Sequence, residues 1–266
     1  MENPCLPVVK QRLTFYSNSK FIIMELSDNT ILITGGTSGI GLGFTKALLE
    51  LDNQVIICGR RKERLEQIKE KYPKVITLAS DVSIDEEREA LFRSITTNYP
   101  DTNILINNAG IQLKTDLTRP VDMRHVRSET DINFYGPVHL SSLFAQHLSN
   151  RGNGVIVNIS SGLAFTPMAQ MPIYCATKAA VHSFTLSLRH QLQNKVKVFE
   201  IIPPSVDTEL GHQHRSDPDK SHGGMPISDF VDEALDALRN DNLEYTVGQS
   251  KKLHTKREEL FDMLNQ

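Results

Sequence analysis

Along this chain, short and nearly continuous apolar runs alternate with longer stretches in which apolar positions recur every three to four residues. The runs are TILIT (30–34), QVIIC (54–58), VITLA (75–79), NILIN (103–107), VIVNIS (155–160) and VKVFEII (196–202). Their β-branched, unalternating character suits strands buried on both faces. Between them, IGLGFTKALLEL (40–51), KERLEQIKEKY (62–72), DEEREALFRSIT (85–96) and the segments 122–149 and 172–193 carry helical periodicity. Residues 226–240 read as a further helix, EYTVG (244–248) as a last short strand, and 251–264 as a terminal helix. This alternation predicts a parallel sheet of about seven strands covered by helices on both sides. Right-handed crossovers make it doubly wound, in one α/β domain over 25–250 followed by a C-terminal helix within 251–266.

Residues 1–24 stand apart. They hold two prolines and no sustained periodicity, which predicts a loosely ordered N-terminal extension. Met24 is a candidate internal start, and the basic residues Lys10, Arg12 and Lys20 weigh less toward a targeting segment than toward such an arm.

Composition narrows the function classes. The 266 residues are 39% hydrophobic and 23% charged, with a formal net charge of -3. That balance gives no basic footprint for nucleic acid. No apolar run is long enough to span a bilayer, and the first residues lack the apolar stretch of a secretory signal. Cys5, Cys58 and Cys175 show no metal-type spacing and read as free thiols of a reducing, cytoplasmic compartment. No metal is expected, and His182 and His190 read as packing or helix–helix interface residues.

Three stretches carry chemistry. The first strand runs into TGGTSGIG (34–41), where Gly35, Gly39 and Gly41 open a helix. Glycines at that junction let a backbone approach a pyrophosphate, and the helix N-terminus offers it free N–H groups. The second strand ends in CGRRK (58–62). Gly59 stands where an NAD-selective fold places an acid for the ribose 2′-hydroxyl, and Arg60 can clamp a 2′-phosphate. NADP(H) is therefore favoured over NAD(H). Finally, YSNSK (16–20) and YCATK (174–178) each place a lysine four residues after a tyrosine. On a helix such a pair shares a face, and a nearby ammonium lowers a phenol's pKa.

TGGTSGIG, then DV (81–82), NNAG (107–110), a serine and YCATK, in that order, resemble the short-chain dehydrogenase/reductase family over about residues 27–248. The resemblance implies a Rossmann fold and NAD(P)-dependent oxidoreduction of a small carbonyl or alcohol. Its catalytic set falls on Asn133, Ser161, Tyr174 and Lys178. NISSGLAF offers both Ser160 and Ser161. Counting back from Tyr174 selects Ser161, and strand alternation agrees that only one of the two faces the cleft. The implied cofactor positions are Gly35, Thr37, Ser38, Gly39, Ile40 and Gly41 in the loop, with Arg60 after the second strand. Asp81 at the adenine, Val82, Asn108, Ala109 and Gly110 follow, then Tyr174 and Lys178 at the ribose, and Val206 and Thr208 after the sixth strand.

Chain order thus singles out YCATK, since YSNSK precedes the first strand. Tyr174 is expected as general acid and base, with Ser161 hydrogen-bonding the substrate oxygen. Lys178 is expected to hold the ribose and lower the tyrosine pKa, and Asn133 to link Lys178 to solvent through water. One departure is PPSVDT (203–208), with Pro204 where the family pattern often has glycine, which predicts an altered loop near the nicotinamide. With SGLAF and YCATKAAVHSF, this form is similar to a narrower subgroup, the oxidoreductase encoded alongside teichoic-acid D-alanylation enzymes in bacteria. The polar stretch LGHQHRSDPDKSHGG (210–224) falls where the family carries a substrate lid, and its His212, His214 and His222 read as lid residues rather than metal ligands. The long helices at 122–149 and 172–193 resemble the family's dimer helices, implying a homodimer or homotetramer. A catalytically weak NADP(H)-binding sensor or scaffold is the alternative reading.

Overall fold

The predicted strands form with their ends moved by one or two residues: β1 (Thr30–Thr34), β2 (Gln54–Gly59), β3 (Ile76–Ala79), β4 (Thr102–Asn107), β5 (Gly154–Ile159), β6 (Val196–Ile202) and β7 (Glu244–Thr246). The computed structural model describes residues 24–211, 221 and 223–266. Every pairing is parallel, in the order β3-β2-β1-β4-β5-β6-β7. The helices between them are α1 (Gly39–Glu50), α2 (Lys62–Lys71), α3 (Asp85–Asn98), α4 (Met123–Thr130), α5 (Gly136–Arg151), α6 (Pro172–Gln191) and α7 (Ile227–Arg239). Two short helices, α8 (Ser250–Lys256) and α9 (Phe261–Leu264), follow β7.

Continuous apolar strands are needed because both faces are covered. Ile31, Ile33, Val55 and Ile57 point to one side, against Phe44 of α1 and Phe230 of α7. Their neighbours Leu32 and Ile56 point to the other, with Leu105 and Ile156, against Leu91 of α3 and Phe144 of α5. The chain moves outward from β1 through β2 to β3, then returns to lay β4 on the opposite edge of β1. Loops leaving β1 and β4 therefore diverge, and the crevice between them is the place where such sheets bind ligands.

Two predicted helices are interrupted. Within 122–149, α4 and α5 are separated by a π-helical turn, Asp131–Tyr135, closed by the Gly136 N–H bonding to the Asp131 carbonyl five residues back. Pro137 sits in the first turn of α5 and has no N–H to continue the normal ladder, so the turn widens just before it. The terminal helix breaks at Arg257 (φ 47°). There the Thr166 hydroxyl bonds to the carbonyls of both Leu253 and Arg257, and a 3₁₀ turn, Arg257–Leu260, leads into α9.

Met24 and Leu26 belong to the core. Residues 1–23, including the YSNSK pair, lie outside the described residues, as do 212–220 and 222 with His212, His214 and His222. No helix among the described residues is long and apolar enough to cross a membrane.

Candidate active site

A cleft of about 1130 Å³ opens at the C-terminal ends of β1, β4, β5 and β6. One end is the glycine loop. Gly35 (φ 67°) and Gly39 (φ 52°) both take left-handed backbone angles, which non-glycine residues adopt at a cost. Ser38 precedes α1 in extended conformation and makes no side-chain cap. The first-turn N–H groups of α1 therefore stay available to an anion. Thr37, Ser38, Gly39 and Ile40 line the cleft, whereas Gly41 does not. A Cβ on Gly41 would lie 2.3 Å from the Gly35 carbonyl, so its bareness lets α1 close onto the loop.

The floor is cross-braced. The Thr34 hydroxyl accepts from the backbone N–H groups of Asn108 and Ala109, each at 3.0 Å. The Asn108 side-chain amide returns a bond to the Thr34 carbonyl at 2.9 Å. Asn108, Ala109 and Gly110 thereby sit at the cleft floor beside Gly35. Thr208 packs over Gly39, 3.3 Å from where its Cβ would be. Val206 forms a short parallel bridge with Met225, reinforced by bonds from Asp207 N–H to Met225 and from Met225 N–H to Ser205. The loop holding Pro204 is therefore braced by backbone pairing.

At the outer end of the loop lies a basic cluster. The Arg61 guanidinium donates to the Ser38 hydroxyl at 3.2 Å, Arg60 stands 3.7 Å from Asp81, and Arg64 donates to both oxygens of Glu209 at 2.7 Å. Arg60, Arg61 and Val82 line the cleft, but Asp81 does not. Its carboxylate instead accepts from the N–H and hydroxyl of Ser83. Arg61 was not singled out by sequence, although its place directly after Arg60 was visible there.

The opposite end gathers the predicted polar set. Tyr174 and Lys178 lie on one face of α6, both buried, with the Lys178 ammonium 5.7 Å from the Tyr174 ring. That ammonium donates to the Ile159 carbonyl at 2.9 Å. Ser161 caps the 3₁₀ turn Gly162–Ala164, its hydroxyl accepting from Leu163 N–H at 3.1 Å. Ser160 also borders the cleft but is almost fully buried, and the pairing with β6 runs on through Ser160 N–H to the Ile201 carbonyl and Gly162 N–H to the Pro203 carbonyl. The Ser160 hydroxyl is buried without a partner.

Asn133 is behind this wall, in the π turn. Its side chain accepts from Ile111 N–H and donates to the Ile111 carbonyl, each at 2.9 Å. It also donates to the Thr177 hydroxyl at 3.2 Å. A Cβ on Gly110 would be 3.3 Å from Asn133 Oδ1 and 3.7 Å from Lys178 Nζ, so a small space separates the two groups.

The protonation chemistry differs from the sequence expectation in one respect. Burial pushes the Tyr174 phenol above the ordinary tyrosine value, and its hydrogen bond with Ser161 offsets only part of that rise. Desolvation dominates because the phenol is buried, and the Lys178 ammonium donates to the Ile159 carbonyl. Lys178 is itself pulled down to about 8 by burial, opposed by the charges of Glu200 and Glu129.

Neither carboxylate was recognised from sequence. Glu200 interrupts the apolar strand VKVFEII and is fully buried. It bonds to His182 at 2.8 Å, leaving Oε1 without a partner. His182 is thus a carboxylate partner, and its neighbour Phe165 stacks edge-on between it and His254. Glu129 lies one helical turn before Asn133, accepts from Leu113 N–H at 3.0 Å, and is pushed up to about 7 by burial. An acid inside an apolar strand, and one a turn from Asn133, were the available signals.

Comparisons with known proteins give the family. The family model for short chain dehydrogenases matches residues 29–219. The uncharacterized oxidoreductase DltE of Bacillus subtilis (strain 168) is 45% identical over 84% of this chain and 89% of that protein. L-xylulose reductase of Caenorhabditis elegans is 33% identical over 85% of this chain and 94% of that protein. A short chain dehydrogenase from Burkholderia cenocepacia J2315, solved in complex with NADP, shares the fold with a TM-score of 0.76 at 26% identity, over 88% of this chain and 94% of that one. The match over most of the chain, on a seven-stranded parallel sheet with a glycine loop at its crevice, establishes that the chain belongs to the short-chain dehydrogenase/reductase family of NAD(P)-dependent oxidoreductases.

Proposed function

We propose that this chain transfers a hydride between NADP(H) and a small carbonyl or alcohol substrate, with Tyr174 as general acid and base. One observation carries the reading: Tyr174, Ser161 and Lys178 meet in one wall of a cleft whose other end is the uncapped N-terminus of α1. The bareness of Gly35 and Gly39 supports a pyrophosphate site there, with Gly41 letting α1 close onto the loop and Thr37, Ser38, Ile40, Asn108, Ala109, Gly110, Val206 and Thr208 around the rest of the cofactor. When bound, the nicotinamide supplies a hydride to the carbonyl carbon, so that negative charge grows on the carbonyl oxygen.

The chain's own groups meet that charge. Tyr174 gives its proton to the oxygen, and the Ser161 hydroxyl hydrogen-bonds the same atom. A phenol held above its ordinary value keeps its proton at neutral pH and is ready to donate it. Lys178 holds the ribose and lends positive charge to the forming phenolate. Asn133, locked onto Ile111, anchors a water in the space beside Gly110, through which Lys178 is restocked with protons.

NADP(H) is preferred because Gly59 replaces the acid and because Ser38, Arg60 and Arg61 cluster beside the loop. The NADP in the Burkholderia relative's structure is consistent with that choice. Asp81, positioned by Ser83 and Arg60, borders the adenine end beside Val82. Met123, Tyr135 and Leu186 leave apolar surface exposed on α4, the π turn and α6, which supports a homodimer or homotetramer through these helices. Cys58 and Cys175 are free thiols, consistent with a cytoplasmic location. We take residues 25–250 as the catalytic domain and 251–266 as its C-terminal wall.

Turnover of a carbonyl panel with NADPH tests the mechanism. Tyr174→Phe is expected to abolish turnover and retain NADPH binding, and unchanged turnover would refute the assignment. Arg60→Ala and Arg61→Ala are each expected to weaken NADPH more than NADH. Tight NADPH binding with no turnover on any carbonyl would favour the sensor or scaffold reading.

A further inference from the structure

The substrate end of the cleft is built from two segments that hold each other in place. The loop after Ser161 contributes Leu163, Met168 and Met171 to the wall. The C-terminal tail contributes Leu253, Leu260 and Met263 to the same wall. The two are pinned together at both ends. The Thr166 hydroxyl bonds to the carbonyls of Leu253 and Arg257 at 3.1 and 3.0 Å. The Asn265 side chain donates to the Pro167 carbonyl at 3.1 Å and accepts from Ala169 N–H. Leu253 packs so closely on Gly162, next to Ser161, that a Cβ there would meet its Cδ1 at 2.8 Å. The reversal at Arg257 then carries Leu260 and Met263 back over the opening.

This wall is apolar, and part of it is exposed among the described residues. Met263 is 54% exposed and Leu210, on the facing loop, 37% exposed, yet both line the cleft. Methionine adapts its shape to varied apolar partners, and here Met168, Met171 and Met263 surround one opening. Among the described residues on this side the polar side chains are Gln112, Lys114, Gln249 and Lys252, and no acid interrupts the apolar stretch between Ser161 and the tail. An apolar group placed there would leave water for the apolar side chains, a gain of about 0.8 kcal/mol per methylene buried.

We propose that the carbonyl substrate carries an apolar body, an alkyl chain or aryl group, that packs against Leu163, Met168, Met171, Leu253, Leu260 and Met263 while its carbonyl meets Tyr174 and Ser161. The assignment rests on the oxidoreductase reading above. The balance is that of that reaction: the hydride adds to the carbonyl carbon, the C=O π pair takes the Tyr174 proton, and NADPH is oxidised to NADP⁺ as the carbonyl becomes an alcohol.

The test uses the full chain with NADPH and straight-chain aldehydes of four to ten carbons, with L-xylulose, the sugar named in the C. elegans relative, for contrast. Burying one methylene is worth about 0.8 kcal/mol, so kcat/KM should rise up to about fourfold per carbon until the wall is filled. L-xylulose should be a poorer substrate than the eight-carbon aldehyde. Turnover with a flat chain-length profile, or with L-xylulose preferred, overturns the apolar assignment and leaves the oxidoreductase reading standing. Turnover of no carbonyl at all overturns that reading and this assignment with it. Met263→Asp should lower the ratio of kcat/KM between eight- and four-carbon aldehydes severalfold. That ratio is insensitive to the fraction of folded enzyme, and an unchanged ratio removes the tail from the site.

Discussion

Lys178 carries a charge into the interior, and the fold must bear its cost. The side chain is 5% exposed, and burial draws its pKa from 10.5 to about 8. At about 1.36 kcal/mol per pH unit, keeping the ammonium charged inside costs the fold about 3 kcal/mol at pH 7. Below pH 8 the folded and unfolded chains both carry the proton, so the full cost is present. Between pH 8 and 10.5 the folded chain releases it while the unfolded chain keeps it, and stability rises with pH. Lys178→Met has no such limb. Without cofactor, the wild type should therefore gain about 2 kcal/mol on that variant between pH 7 and pH 9.5.

At pH 7 alone the comparison is uninformative. The variant also loses the hydrogen bond to the Ile159 carbonyl, worth about 1–3 kcal/mol when a buried group is left unpaired, and the two effects nearly cancel. The change between the two pH values decides when both proteins also carry Glu129→Gln, because Glu129 titrates at about 7 and interacts with the Lys178 charge. Urea unfolding at pH 7 and 9.5, followed by far-ultraviolet circular dichroism and linear extrapolation, reads it directly. A stability difference that stays constant across that interval would refute a desolvated, charged Lys178.

Three other perturbations probe separate parts of the fold. Gly41→Ala puts a Cβ 2.3 Å from the Gly35 carbonyl and 2.5 Å from Asn108 Nδ2. Overpacking of this kind costs about 1–3 kcal/mol, so the NADPH Kd by fluorescence titration should rise about tenfold, and an unchanged Kd would separate the loop from the cofactor. Glu129→Gln removes a charge that raises the Lys178 pKa, so the alkaline limb of the pH–rate profile should move to lower pH. A limb that stays in place would uncouple the two residues. Phe230→Ala empties a fully buried site facing Phe44 edge-on at 6.0 Å. It should cost about 3–5 kcal/mol in urea unfolding, and a loss under about 1 kcal/mol would mean that α7 does not close that face.

The strands were legible because a sheet buried on both faces leaves its mark in consecutive residues. TILIT and QVIIC need no knowledge of their neighbours to be read as β1 and β2. TGGTSGIG was legible for the same reason: the turn, the left-handed angles at Gly35 and Gly39 and the start of α1 all fall within eight residues. The interruption of 122–149 was hidden because Pro137 in a first turn is equally compatible with an ordinary helix start, and the bonds from Asn133 to Ile111 and Thr177 that hold the widened turn in place come from distant segments. The break at Arg257 was hidden because it depends on Thr166, ninety-one residues earlier.

By itself, then, the sequence determined the alternation of elements, the parallel sheet, the glycine loop and which tyrosine–lysine pair follows a strand, since each is encoded by residues near one another in the chain. Only the tertiary structure decided that Arg61 reaches Ser38, and that Glu129 and Glu200 place their charges near a buried Lys178. It also decided that the tail folds back to wall the substrate end. Those outcomes depend on desolvation and on contacts between distant segments, and both arise only when the chain has closed around the site.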